Sequence, residues 1–299
     1  MNKEVLASHV ADIEAGMKEY MPEESGYQKT VFEAVNYSLL AGGKRLRPMF
    51  LYEAYQMFGG RDEKAVRPFM MALEMIHTYS LVHDDLPAMD NDEYRRGKLT
   101  THKKFGEAMG ILSGDALLNG AFETAFLAFD SETEAAQIGR ALKILGHKAG
   151  MYGMVGGQVV DVEKDGCFMD EDMLYFVHKN KTSALIEAAL MTGAVLAGAD
   201  EKQAAVMEQC GTDIGLAFQI QDDILDVIGD QEKLGKPVHS DEKNEKTTAV
   251  SVYGIDVCRQ KVKDYTDRGI EALEALDIPG KEHQEFLVEL MKSLVEREM

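Results

Sequence analysis

Apolar residues recur along most of this chain at steps of three and four, the spacing that gathers them on one face of an α-helix. From Val66 onward, Phe69, Met70, Leu73, Ile76 and Leu81 form such a face, which predicts a helix ending near the acidic pair Asp84 and Asp85. The same pattern runs through EAMGILSGDALLNGAFETAFLAF (107–129), LYFVHKNKTSALIEAALMTGAVLAGA (174–199) and CGTDIGLAFQIQDDILDVIG (210–229). The six prolines, Pro22, Pro48, Pro68, Pro87, Pro237 and Pro279, mostly mark predicted helix starts and stops. No run alternates as a strand would. The apolar run 184–199 contains Glu187 and is too short to span a bilayer, so it predicts a buried interior helix. Residues 229–248, GDQEKLGKPVHSDEKNEKTT, hold almost no core residues and read as a solvated loop. No linker rich in Pro, Gly or Ser divides the chain. The pattern predicts an all-α protein with a single domain over 1–299.

Composition narrows the function. A 45% hydrophobic content suffices for a sizeable core, and the 18 methionines fit as gap fillers between helices. The formal charge of −20 argues against an extended nucleic-acid or anionic-membrane surface. An anionic substrate must therefore rely on local cations. Cys167, Cys210 and Cys258 form no CxxC pair, and the N-terminus lacks an apolar signal core, which together predict a reduced, cytoplasmic protein without disulfides or stable membrane insertion.

Two acidic clusters change the picture. In LVHDDLPAMDNDEYRRGK (81–98), Asp84, Asp85 and Asp90 precede Arg95 and Arg96; in FQIQDDILDVIGD (218–230), Asp222, Asp223 and Asp226 interrupt an apolar helical run. On a helix Asp222 and Asp226 share a face, where two like charges repel unless a cation joins them. With 23 aspartates in 299 positions, either pattern arises by chance about 0.1 times per chain, so one alone is an ordinary acidic helix face and both together are not. Carboxylate oxygens suit magnesium, which keeps positions open for water and substrate phosphates. Arg95 and Arg96 then offer planar forks to phosphate oxygens. GGKRLRP (42–48) adds Lys44 and Arg47 at a helix start, where backbone N–H groups also favour anions. His77 lies two helical turns before Asp84, on its face.

Taken in order, GGKRLRP, EMIHTYSLVHDDLPAMDNDEYRRG, GDALL, GGQVVD, HKNKTSALI, FQIQDDILDVIGD and LGKPVHSDEKNEKTT resemble the motifs of trans-isoprenyl diphosphate synthases, the bacterial farnesyl diphosphate synthase type above all. The DDxxxxD form of the first aspartate motif is that of the bacterial subgroup. The resemblance implies the isoprenoid synthase fold, about ten antiparallel core helices around a deep central cavity, usually as a homodimer. It implies that Asp84 and Asp90, with Asp222, bind three magnesium ions (manganese being the alternative) that grip an allylic diphosphate. Asp85, Asp223 and Asp226 would be further or water-mediated ligands. Lys181, Lys236, Lys246 and Arg95 would neutralise the same diphosphate. Lys44, Arg47, His77 and Arg96 would hold isopentenyl diphosphate, and the oxygens of Thr182 and Gln219 would face the developing cation. The tail LVEREM offers only Arg297 as a basic group.

About one turn before the first aspartates stand Tyr79 and Ser80. A large ring there resembles the farnesyl pattern, stopping growth after two condensations; within the family, geranyl and geranylgeranyl synthases are the alternatives. The string IHTYSLVHDD also contains the His-Asp pair of HD-type metal phosphohydrolases. That reading needs further metal-binding histidines and leaves the second cluster without a role. A non-catalytic subunit of a prenyl synthase would lack one aspartate motif, and this chain has both.

Overall fold

The computed structural model describes residues 3–228 and 247–295, and those residues are helical almost throughout. Their packing forms two compact units: an N-terminal one (to Tyr52, then Asp62–Ile138) and a C-terminal one (Glu53–Arg61, then from Gly139). No helix among the described residues is long and apolar enough to cross a membrane.

The N-terminal unit is built on α1 (Lys3–Met17), α2 (Lys29–Leu39), the first half of α3 (Leu46–Met57), α4 (Glu63–Asp84), α5 (Thr101–Phe105) and α6 (Glu107–Phe126). Asp62 starts α4 by accepting from the Lys64 N–H at 3.1 Å. Pro68 lies inside α4, not at its edge as the sequence suggested. Its missing N–H removes one helical bond, and packing holds the helix across the gap. The buried set, from Ala65 and Val66 through Phe69, Met71, Leu73, Met75, Ile76, Tyr79 and Val82, runs nearly all round α4, wider than the single face predicted. Helix α6 packs along α4. A side chain at Gly114 would overlap the His83 imidazole, so the glycine of GDALL permits that approach.

The sequence showed no strand, yet Tyr94–Arg95 (β1) and Lys98–Leu99 (β2) pair antiparallel. Two residues per strand lie below any periodicity signal. Arg96 and Gly97 form the turn with φ of 52° and 74°, the left-handed pair that suits the twist of a tight hairpin. The hairpin docks on the end of α2: Tyr37 donates to the Leu99 carbonyl (2.7 Å), Lys98 to the Leu40 carbonyl (3.0 Å) and Arg96 to the Gly42 carbonyl. Carbonyls past a helix end have no intrahelical donor, and these cations supply one.

The C-terminal unit holds most of α7 (Ala135–Ala149), α8 (Met154–Glu163), α9 (Glu171–Val177), a π-helical turn (His178–Ser183), α10 (Ala184–Leu196), α11 (Glu201–Ile228), α12 (Ala249–Tyr253), α13 (Ile255–Glu274) and α14 (Lys281–Val295). Every residue of α10 is buried, as its apolar sequence predicted, and each buried Leu or Ile there contributes about 1.5–3 kcal/mol. Glu187 is tolerated in that interior because Lys148 pairs with it and the Thr212 hydroxyl donates to it at 2.6 Å. At 28 residues, α11 is about 42 Å long. Its Ala217, Ile220 and Ile224 join Leu174, Val177, Ala249, Cys258 and Val262 in one core cluster.

Candidate active site

The string GGKRLRP folds as the turn into α3. Lys44 is exposed, whereas Arg47 is half-buried, with one terminal NH 3.4 Å from His77 Nε2. The Arg47 Nε is fully buried and meets no partner among the described residues, an orphan donor in keeping with an anion site. Burial pushes the Arg47 pKa down to about 10, with Arg96 adding to the effect and Glu74 opposing it. His77 is held well below the usual histidine value by burial first and then by Arg47, Arg96, Arg95 and Arg45. A neutral ring accepts at Nε2 from Arg47 and retains its proton on Nδ1. Arg96, on the hairpin turn, reaches the same string through the Gly42 carbonyl. The structure thus brings Arg47, His77 and Arg96 together, with Lys44 exposed on the same turn.

The first acidic motif closes α4. Asp84 is its last residue and is half-buried; Asp85 caps the helix, is buried, and accepts from Arg95 Nε at 2.7 Å and Arg95 Nη2 at 2.6 Å. Burial raises the Asp85 pKa, and Arg95 opposes that rise. The following loop turns back on itself: Asn91 adopts φ 54°, and the Asp90 N–H donates to the Asp84 carbonyl at 2.9 Å. Six positions after Asp84, the chain has returned to it. That return gives the spacing DDxxxxD its shape. Arg95 is engaged by Asp85 and lies 3.6 Å from Asp92.

The second motif lies on α11. Asp222 is half-buried and Asp226 is buried. Asp223 has both oxygens engaged: Oδ1 accepts from Gln219 Nε2 at 3.0 Å and Oδ2 from the Ala249 N–H at 2.7 Å, with His178 Nε2 at 3.7 Å. Thr182 donates to Gln219 Oε1 at 2.8 Å, so the amide is oriented from both ends. Lys181 pairs with Asp161 at 2.6 Å. Asp161, Lys181, Thr182, Gln219 and Asp223, with His178, Thr247 and Thr248, line a cavity of about 140 Å³ within the C-terminal unit. His178 is pushed down to about 4 by burial, against the Asp161 carboxylate. The π turn carries His178, Lys181 and Thr182, and a side chain at Gly157 of GGQVVD would overlap its backbone at Lys181. π-Helical turns concentrate at functional sites.

Among the described residues no three acidic, histidine or cysteine side chains converge as a pre-formed metal cage. The donors are nevertheless all carboxylate oxygens. They suit a hard cation that completes its shell with water and phosphate. Of the six aspartates, Asp85 has Oδ1 engaged by Arg95, and Asp223 has both oxygens engaged, by Gln219 and the Ala249 N–H.

Of the chain-length candidates, Tyr79 is buried with its ring edge-on to His83, centroids 5.8 Å apart, and its pKa is raised to about 12 by burial and then by Asp84. Ser80 donates to the His77 carbonyl at 2.9 Å. Lys236, Lys246 and Arg297 lie outside the described residues. Sequence reasoning passed over three residues of these surroundings. Asp161 stood unremarked in GGQVVD, His178 in HKNKTSALI, and Arg45 in GGKRLRP; only the last is a cation already flanked by two candidates.

The sequence profile of the polyprenyl synthetase family matches residues 28–277. A farnesyl diphosphate synthase of Geobacillus stearothermophilus is 40% identical over 268 residues, covering 90% of this chain and 90% of that protein. A geranylgeranyl diphosphate synthase of Cyanophora paradoxa is 46% identical over 228 residues, covering 76% and 75%. Among solved structures, a geranyltransferase of Helicobacter pylori complexed with magnesium and isoprenyl diphosphate superposes with a TM-score of 0.86 at 30% identity, covering 98% of this chain and 97% of that one. With a family profile spanning most of its length and relatives of this closeness, the chain is a member of the polyprenyl synthetase family.

Proposed function

We propose that this prenyltransferase condenses isopentenyl diphosphate head-to-tail with dimethylallyl and then geranyl diphosphate, giving farnesyl diphosphate. One observation carries the reading. On α4, His77 beside the Arg47 guanidinium marks an anion site, and Asp84, seven residues on, marks a cation site about 10 Å further along the axis. One helix thus addresses two differently bound diphosphates, the arrangement a two-substrate condensation needs. The match over 28–277 is in keeping with one synthase domain over 1–299.

In this mechanism Lys44, Arg47, His77 and Arg96 hold the diphosphate of isopentenyl diphosphate. Asp84, Asp85, Asp90, Asp222 and Asp226 would hold magnesium, and Asp223 orients Gln219 and fixes the start of α12. When bound, the metal offsets the negative charge of the allylic diphosphate and stabilises pyrophosphate as it leaves. Lys181 adds a cation to that leaving group; Arg95, Lys236 and Lys246 belong to the same proposal. The allylic C–O bond breaks with its electron pair on pyrophosphate. Thr182 and Gln219 direct oxygens at the carbocation. The double bond of isopentenyl diphosphate supplies the new C–C bond, and a proton lost from the neighbouring carbon passes to pyrophosphate, so no side-chain base is required. Synthesis in the cytoplasm by a homodimer completes the proposal. The face of α8 and the turn before it, where Met151, Tyr152, Val155, Val159 and Val162 are exposed, is an apolar stripe that a second copy would cover.

The test is incubation with isopentenyl and dimethylallyl diphosphates and magnesium, followed by phosphate assay and chromatography. Pyrophosphate release with a C15 product is expected. A C20 product would move the assignment to geranylgeranyl synthesis, as in the Cyanophora relative. Release of inorganic phosphate alone would refute the synthase reading.

A further inference from the structure

Between Lys44 and Arg47 stands a third cation whose environment is the reverse of theirs. Arg45 is only 3% exposed, and its whole guanidinium is spent on protein. Nη1 donates to Glu74 at 2.6 Å and Nη2 to the Leu39 carbonyl at 2.8 Å, while Nε and Nη2 meet Glu14 at 3.2 and 3.1 Å. Its backbone is left-handed, φ 49°, a conformation a residue with a side chain holds only where its surroundings enforce it. Here the enforcing contacts come from its own side chain. Glu74 is itself buried, three residues before His77 on α4. One carboxylate therefore fastens the 42–47 turn to α4 one helical turn from the point where Arg47 meets His77.

We propose that Arg45 is a positioning residue for the isopentenyl diphosphate subsite, with Glu74 as its fixed anchor. The pair touches no substrate; it sets where Lys44 and Arg47 stand relative to His77. The proposal rests on the synthase reading above and deepens it by assigning how one subsite keeps its shape.

Charge and position make opposite predictions for Glu74. Its carboxylate lies near Arg45, Arg47 and Arg96. Were it only a counter-charge, Glu74→Gln would leave the subsite more positive and tighten its hold on a diphosphate. If it is an anchor, the same substitution frees the turn and weakens binding. Arg45→Lys keeps the charge but loses the planar fork, so it no longer reaches Glu74, Glu14 and Leu39 together.

Steady-state kinetics of both variants decide the matter. KM for isopentenyl diphosphate should rise about tenfold in each, with KM for the allylic substrate within about twofold of the parent. An unchanged or lower isopentenyl KM in Glu74→Gln, or equal rises in both KM values, overturns the proposal. Circular dichroism checks folding, and the near-isosteric Glu74→Gln carries the test if Arg45→Lys does not fold. A parent enzyme without prenyl transfer would refute the function, not this inference. Calorimetric titration of inorganic pyrophosphate in chelator-treated buffer then reads the basic turn directly: weaker binding in both variants supports the anchor, and equal binding overturns it.

Discussion

Tyr79 shows how one side chain can serve packing and chemistry together. Its ring stands edge-on to His83, five residues ahead of Asp84, and burial and Asp84 both oppose its ionisation. A rigid, neutral ring near the first aspartate motif is suited to limit chain growth. Tyr79→Ala should shift products beyond C15 and Ser80→Phe should shorten them, as read by chromatography of the dephosphorylated products; an unaltered profile in both would remove the chain-length role. At this scale the sequence offered candidates where residue type announces chemistry: the aspartates, Lys44, Arg47 and His77. It was silent where chemistry depends on a distant partner. Arg45 meets Glu74 across 29 positions, Lys181 meets Asp161 across 20, and Asp223 meets the Ala249 N–H across 26, separations no local pattern reports.

Among elements, the continuous rod from α9 to α10 is the clearest case of structure hidden by a correct periodicity. The apolar spacing over 174–199 predicted one helix and the structure has one, yet it contains a π turn at His178–Ser183 that a count of threes and fours does not resolve. Close packing of α8 on that turn depends on Gly157. Gly157→Ala should therefore cost roughly 1–3 kcal/mol and raise the allylic KM, because the added methyl pushes the Lys181 backbone away from Asp161. Thermal melts and kinetics on the one variant test both; a stable enzyme with parental KM would refute the account. The hairpin at 94–99 was missed for the opposite reason. It is too short to carry a period, and of its two left-handed turn residues only Gly97 is a type that announces one, Arg96 being an uncommon choice there.

At the level of the whole molecule, stability and acidity are linked through buried neutral imidazoles. His178 has its pKa lowered from about 6.5 to about 4, and His77 is shifted the same way. A histidine kept neutral in the fold takes up its proton in the unfolded chain first. The stability it contributes is present above pH 6.5 and is lost as pH falls from there towards the folded value. For His178 that loss amounts to roughly 3 kcal/mol by pH 4. The melting temperature should fall over that interval, and His178→Gln should flatten the fall by several degrees in a calorimetric pH series; identical slopes in parent and variant would refute the assignment. Composition anticipated the core and the all-α class, since 45% hydrophobic residues at helical spacing leave few other architectures. The division of the described residues into two compact units follows from packing that no interval of the sequence marks.

The close of α4 has one more consequence. Peptide dipoles align along a helix, so its final carbonyls carry about half a negative charge, and Asp84 and Asp85 are placed at that end. Carboxylates usually favour the opposite terminus; here each is disfavoured by about 0.3–1 kcal/mol. Arg95 relieves Asp85. Around Asp84 the backbone adds a negative potential that no side-chain substitution can remove, and that potential would favour a divalent cation at the end of the helix.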